Sequence, residues 1–134
     1  MNIWVDICHI PQYKFYRPLM IELAKRGHEV YVTVLGRGRT PQIMQHELAG
    51  TSIHVDVVGR HRMTKWSAIW DANIIRTFQL LRWARKKKID IGFSNGVLLA
   101  FVCKLKGIRN YSFDDDPQTL DRKGKEWWNT ECNF

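Results

Sequence analysis

The chain has 134 residues, of which 45% are hydrophobic and 25% charged. That length suits one domain burying roughly two thirds of its unfolded surface, and the composition excludes global disorder, a collagen-like fibre and a disulfide scaffold. Lys and Arg number 21 against 13 Asp and Glu, a formal net charge of +8, which favours nucleic acid, phosphorylated metabolites or an acidic membrane surface as partners, or serves plain solubility.

The chain reads as strand and helix in alternation. Residues 2–8 (NIWVDIC) form a short, mostly apolar run bounded by His9 and Pro11, as a buried strand does. A helix is expected from after Tyr13 to Arg26, with Pro18 in its first turn, where a missing N–H does least harm. Tyr16, Met20, Leu23 and Ala24 share one of its faces, and Gly27 caps its end. The β-branched run 28–35 (HEVYVTVL) gives the second strand. Gly36 to Arg39 form a loop, and Thr40 as N-cap before Pro41 opens a short helix to about Ala49. Residues 52–58 (SIHVDVV) alternate as a third strand, followed by a basic loop, Gly59 to Lys65. Ser67 can cap a long helix to about Lys88, with Trp70, Ile74, Phe78 and Leu81 as its apolar stripe. Residues 89–93 (IDIGF) are a fourth strand, Val97 to Lys106 another helix and Ile108 to Phe113 a fifth strand.

This order predicts an α/β fold, a Rossmann-like, mostly parallel sheet of about five strands with helices on both faces, in the order 3-2-1-4-5. It fills residues 1–116; residues 117–134 form an atypical polar tail with adjacent Trp127 and Trp128. Residues 114–134 hold six acids and three bases, so the first 113 residues carry a net +11. The longest nearly apolar run, Val97 to Cys103, is far short of the ~20 residues a membrane span needs. The N-terminus does not read as a signal peptide, because Asp6 interrupts its apolar run. With Cys8, Cys103 and Cys132 in no metal-type spacing, a cytoplasmic chain with free thiols is expected.

In open parallel sheets ligands bind beyond the C-terminal ends of the strands, where strand order reverses. The loop after strand 1, His9-Ile10-Pro11-Gln12-Tyr13, has no glycine, which argues against a dinucleotide fingerprint. His9 is placed there as a general base or as a turn histidine. Gly36-Arg37-Gly38-Arg39 is a fragment of a phosphate loop or an exposed turn. Ser94-Asn95-Gly96 stands between a strand and a helix, where backbone N–H groups bind anions or oxygens, or simply cap. Asp114, Asp115 and Asp116 could hold a divalent cation with a diphosphate, or terminate a strand; with no second acidic cluster no metal or other cofactor is assigned. Arg82, Arg85 and Lys86 to Lys88 crowd the end of the long helix, with Trp66, Trp70 and Trp83 nearby. That grouping suits helix-dipole complementation or an anionic membrane surface. The aromatic residues line no evident stacking platform, which disfavours nucleic acid.

Residues 2–7 (NIWVDI), Pro11, 15–19 (FYRPL) and 23–30 (LAKRGHEV), followed by 58–61 (VGRH), 93–96 (FSNG) and 113–115 (FDD), form an ordered set over residues 2–116. The set resembles the N-terminal half of a prokaryotic family of unknown function related to the GT-B glycosyltransferases. The resemblance implies the acceptor-side half of a two-domain, UDP-sugar-dependent enzyme. The donor is held mostly by the other half, the reaction takes place in the cleft between them, and no metal is needed. It implies that His9 faces the cleft as the base, and that Pro11, Arg60, His61, Ser94, Asn95 and Gly96 contact substrate. Some members of the superfamily act at the membrane on lipid-linked acceptors, which suits a site peripheral to its inner face. The sequence departs from the pattern at Gln12 and Lys14, where a more histidine-rich stretch is expected, and in its tail. On this resemblance the chain is half an enzyme: a truncated product inactive alone, or a subunit whose partner chain supplies the second domain. The alternative is a non-catalytic module that binds anions or a membrane surface.

Overall fold

A computed structural model describes residues 1–60, 74–94 and 97–113. Its elements are β1 (Asn2–Ile7), α1 (Ile10–Lys25), β2 (Glu29–Gly36), α2 (Thr40–Glu47), β3 (Ile53–Arg60), α3 (Arg76–Arg85), β4 (Ile91–Ser94), α4 (Val97–Lys106) and β5 (Arg109–Ser112). The strands form one sheet in the order β3-β2-β1-β4-β5, with every pairing parallel. The expected fold class and strand order are therefore both present. Ser67, Trp66 and Trp70, and the tail 117–134, lie outside the described residues. Among the described residues no helix is long and apolar enough to cross a membrane.

Strand periodicity divides the core between two faces. Ile3, Val5 and Ile7 of β1 and Val30, Val32 and Val34 of β2 pack with Tyr13, Tyr16 and Met20 of α1 and Met44 of α2. Trp4 and Val58, from the other face, pack with Leu80 and Ala84 of α3 and Leu99, Val102 and Cys103 of α4. Parallel strands buried on both faces need near-continuous apolar sequence, as β1 and β2 have. Asp6 and Thr33 are the buried polar residues in those strands.

Several boundaries differ from expectation by one to three residues or more, three of them for a visible reason. α1 starts at Ile10, not after Tyr13, with Pro11 in its first turn and Pro18 in its interior. Pro18 costs one helical hydrogen bond, but Lys14, whose carbonyl loses its partner, is exposed on the solvent side with Pro18. Burial of Tyr13, Tyr16 and Met20 on the opposite side outweighs that loss. β3 continues past Val58 to Arg60, because Gly59, at φ +85, carries an irregularity that brings Arg60 opposite Gly36. At Gly36 a Cβ would lie 2.9 Å from the Gly59 carbonyl oxygen, so glycine is what lets the two strand ends meet. Thr40 does not cap α2: it is the first helical residue, and no side chain caps that end.

The apolar stripe of α3 is also turned from the expected one. Thr77, Leu80 and Ala84 face the sheet together with Arg76. Ile74 and Phe78 lie outward, at 43% and 67% exposure. The periodicity is right but its phase is set by Arg76, which is drawn inward by a buried carboxylate.

Gly92 of β4 marks the closest approach of helix and sheet. A Cβ there would stand 2.8 Å from the Cys103 Sγ of α4. Gly92→Ala is expected to destabilise the fold by about 1–3 kcal/mol through overpacking. Adding Cys103→Ala removes the sulfur and should recover most of the loss. Urea denaturation of the two single variants and the double variant measures this; equal losses in Gly92→Ala and the double variant would exclude the contact as the cause.

Candidate functional site

β1 is the switch point of the sheet. It pairs with β2 on one side and β4 on the other. α1 leaves its tip to pack on one face, whereas α3 and α4 lie on the other. The chain therefore diverges beyond Ile7 and Ser94, the last residues of β1 and β4, which is where open parallel sheets place a ligand crevice.

His9 is the N-cap residue of α1, with extended backbone (φ −155, ψ 164), and its side chain makes no capping bond. Its carbonyl accepts the Tyr13 N–H at 3.3 Å. The residue is exposed, and its imidazole is not consumed by the turn. Gln12 folds back instead, and its Oε1 accepts the Cys8 N–H at 2.8 Å. Pro11, exposed in the first turn, removes one of the N–H groups that an anion would use there. This helix end is therefore a weak phosphate cradle by itself. Ser94 is buried at the tip of β4, and its carbonyl accepts the Phe113 N–H at 2.9 Å.

The structure thus places His9, Pro11 and Ser94 at or just beyond the ends of the two strands that flank the switch point. Arg60 is exposed at the tip of the edge strand β3, two strands from β1 and about 10 Å away by ordinary strand spacing. His61, Asn95, Gly96 and Asp114 to Asp116 lie outside the described residues. Arg37 and Arg39 are exposed beside a tight turn in which the Arg37 N–H meets the Leu35 carbonyl at 2.8 Å. Among the described residues no three His, Cys, Asp or Glu side chains gather as a metal site.

Directly beneath the crevice is a constellation that the sequence did not disclose. The Arg76 guanidinium makes a two-pronged contact with Asp6, Nη2 to Oδ1 at 2.7 Å and Nη1 to Oδ2 at 3.0 Å. Its Nε donates to the Val58 carbonyl at 3.2 Å, and Nη1 lies 3.5 Å from the Cys8 Sγ. Thr33 Oγ1 donates to Asp6 Oδ1 at 2.7 Å and accepts from Trp4 Nε1 at 2.9 Å. One guanidinium so ties the ends of β1 and β3 to the start of α3. Gly59 allows this: a Cβ there would lie 3.3 Å from Arg76 Cγ and Cδ. Burial works against the Arg76 charge, but Asp6 more than offsets it, and the pKa moves up. Burial, reinforced by the Asp6 carboxylate, pushes the Cys8 thiol up to about 11, only partly countered by Arg76. Cys8 is therefore a neutral thiol at neutral pH and a poor nucleophile.

The basic end of α3 is partly engaged. Lys87 Nζ lies 4.5 Å from the Tyr31 ring centroid and 3.7 Å from Asp56 Oδ2. Trp83 Nε1 donates to the same Asp56 carboxylate at 2.9 Å. Trp83 thus joins the face of the sheet instead of projecting as a surface anchor. No family model and no curated protein matches the chain.

Proposed function

We propose that the chain is the acceptor-side half of a GT-B-like glycosyltransferase, with the UDP-sugar donor held by a second unit. The observation that supports this reading best is the switch point of the sheet, where the exposed His9, whose side chain makes no capping bond, follows the end of β1 with β4 as the neighbouring strand. A glycine-free first loop with Pro11 disfavours close pyrophosphate binding on this half, as an acceptor side requires. In the proposed reaction an acceptor hydroxyl attacks the anomeric carbon of the sugar, and the bond from that carbon to the UDP phosphate oxygen breaks. UDP leaves with the bonding electrons, and the hydroxyl proton passes to His9. Pro11, Ser94, Asn95 and Gly96 would contact the acceptor, with Arg60 and His61 at the β3 side of the same rim.

The reading is tested by an amide NMR titration of the full chain with simple methyl glycosides as acceptor mimics, together with a turnover assay using UDP-glucose and the same glycosides. Shifts are expected at Cys8, His9, Gln12 and Ser94, weakened in His9→Ala, with no turnover by the chain alone. Shifts confined to other residues, or robust turnover by the isolated chain, would overturn it.

A further inference from the structure

α3 presents to solvent a face that a folded surface ordinarily avoids. Ile74 and Ile75, which lead into the helix, are 43% and 46% exposed, and Phe78 is 67% exposed. Arg82, Arg85 and Lys86 are exposed further along. At the usual helical spacing Ile74, Phe78, Arg82 and Arg85 fall within roughly a quarter of the circumference, opposite the buried Thr77, Leu80 and Ala84. The face is therefore apolar at its start and cationic at its end.

Its charge has one sign. No acidic residue occurs from Ile74 to Ile89. Among the described residues the flanking carboxylates are engaged elsewhere, Asp56 with Trp83 and Lys87 and Asp90 with the Asn2 N–H at 2.8 Å. The inward turn of Arg76 sets Ile74 and Phe78 outward, and nothing among the described residues covers them. Large side chains beside unneutralised cations match an anionic bilayer: the rings and branched chains enter the acyl boundary while the cations meet the lipid phosphates. A nucleic acid would use the cations but leave Ile75 and Phe78 idle.

We propose that the outward face of α3, from Ile74 to Lys86, docks on an anionic lipid bilayer. The proposal is independent of the glycosyl-transfer reading. It is tested by co-sedimenting the full chain with phosphatidylcholine vesicles, with and without an equal share of phosphatidylglycerol. Binding is expected only to the anionic vesicles, and salt should weaken it. Phe78→Ser should reduce it about tenfold, and each of Arg82→Gln and Arg85→Gln roughly five-fold. Ile75→Ser is the second apolar variant, and melting curves confirm that each variant is folded. Equal binding to neutral vesicles, no binding to either, or binding indifferent to Phe78→Ser and Ile75→Ser would overturn the proposal. So would capture of a labelled single-stranded RNA, abolished by the arginine variants, without any vesicle binding.

Discussion

Arg76→Ala should lower unfolding free energy by about 3–5 kcal/mol, a large share of what a domain this size possesses. The reason is not the attraction between Arg76 and Asp6 alone. Both are buried, with side chains 2% and 6% exposed, so removing either leaves the other's charge buried without its counter-charge. Arg76→Ala would leave Asp6, among the described residues, with Thr33 as its remaining donor, and would free the Val58 carbonyl at the end of β3. Asp6→Ala should cost a similar amount, by stranding the guanidinium. The double variant Asp6→Leu/Arg76→Met should cost much less than the sum, because an apolar pair of similar size has no charge to desolvate. Urea denaturation of all three, read as a double-mutant cycle, measures the coupling. Losses below about 1 kcal/mol in both alanine variants would show that the pair is not the lock described. Arg76→Lys is the sharper variant: it keeps the charge but not the planar fork that reaches Asp6 and Val58 together.

The sheet was legible because its signals are local. Apolar runs such as Ile3 to Ile7 and Val30 to Leu35 specify buried strands, and alternation with helices leaves few topologies. That topology also places the ends of β1 and β4, and so His9 and Ser94, at the switch point. The Asp6–Arg76 pair was not legible, because its partners are 70 residues apart and periodicity reports a face, not a partner. One signal was present: a carboxylate in the middle of an otherwise apolar strand must find a cation once buried. Reading Asp6 in that way would have called for an inward-facing Arg or Lys on a neighbouring helix. It would also have corrected the phase of α3, whose Ile74 and Phe78 then turn outward. The start of α1 was misplaced for a related reason. Pro18 alone suggests a first turn, and only the burial of Tyr13 shows why the helix begins earlier. Arg60 was assigned to a loop because glycine commonly ends a strand, whereas Gly59 here carries an irregularity within one.

The fold should lose stability in alkali from about pH 9, where ordinary thiols begin to ionise. Burial raises Cys103 from its usual 9.0 to about 12, with Asp6 adding to the effect. Cys8 rises to about 11 for the same first reason. Burial, then the hydrogen bond to Glu47 at 2.5 Å, raises Tyr13 from 10.0 to about 12. Each group holds its proton longer when folded than when unfolded. The unfolded chain therefore binds fewer protons above about pH 9, and stability falls as pH rises. The contribution is complete below that point and is lost progressively as pH climbs through the folded values. Each thiol removes about 1.4 kcal/mol per pH unit in that window, so the two together remove about 5 kcal/mol by pH 11. Urea denaturation at about pH 8 and about pH 10.5 measures the slope. Cys8→Ser/Cys103→Ala should flatten it, whatever the variant costs at neutral pH, and leave the smaller part due to Tyr13. In a Cys132→Ser background, iodoacetamide should modify the Cys8 of the folded chain about a hundredfold more slowly than a free thiol at equal pH. Unchanged stability at about pH 10.5, or Cys8 alkylation at the free-thiol rate, would mean that the strand tip is wetter than the ion pair beneath it requires.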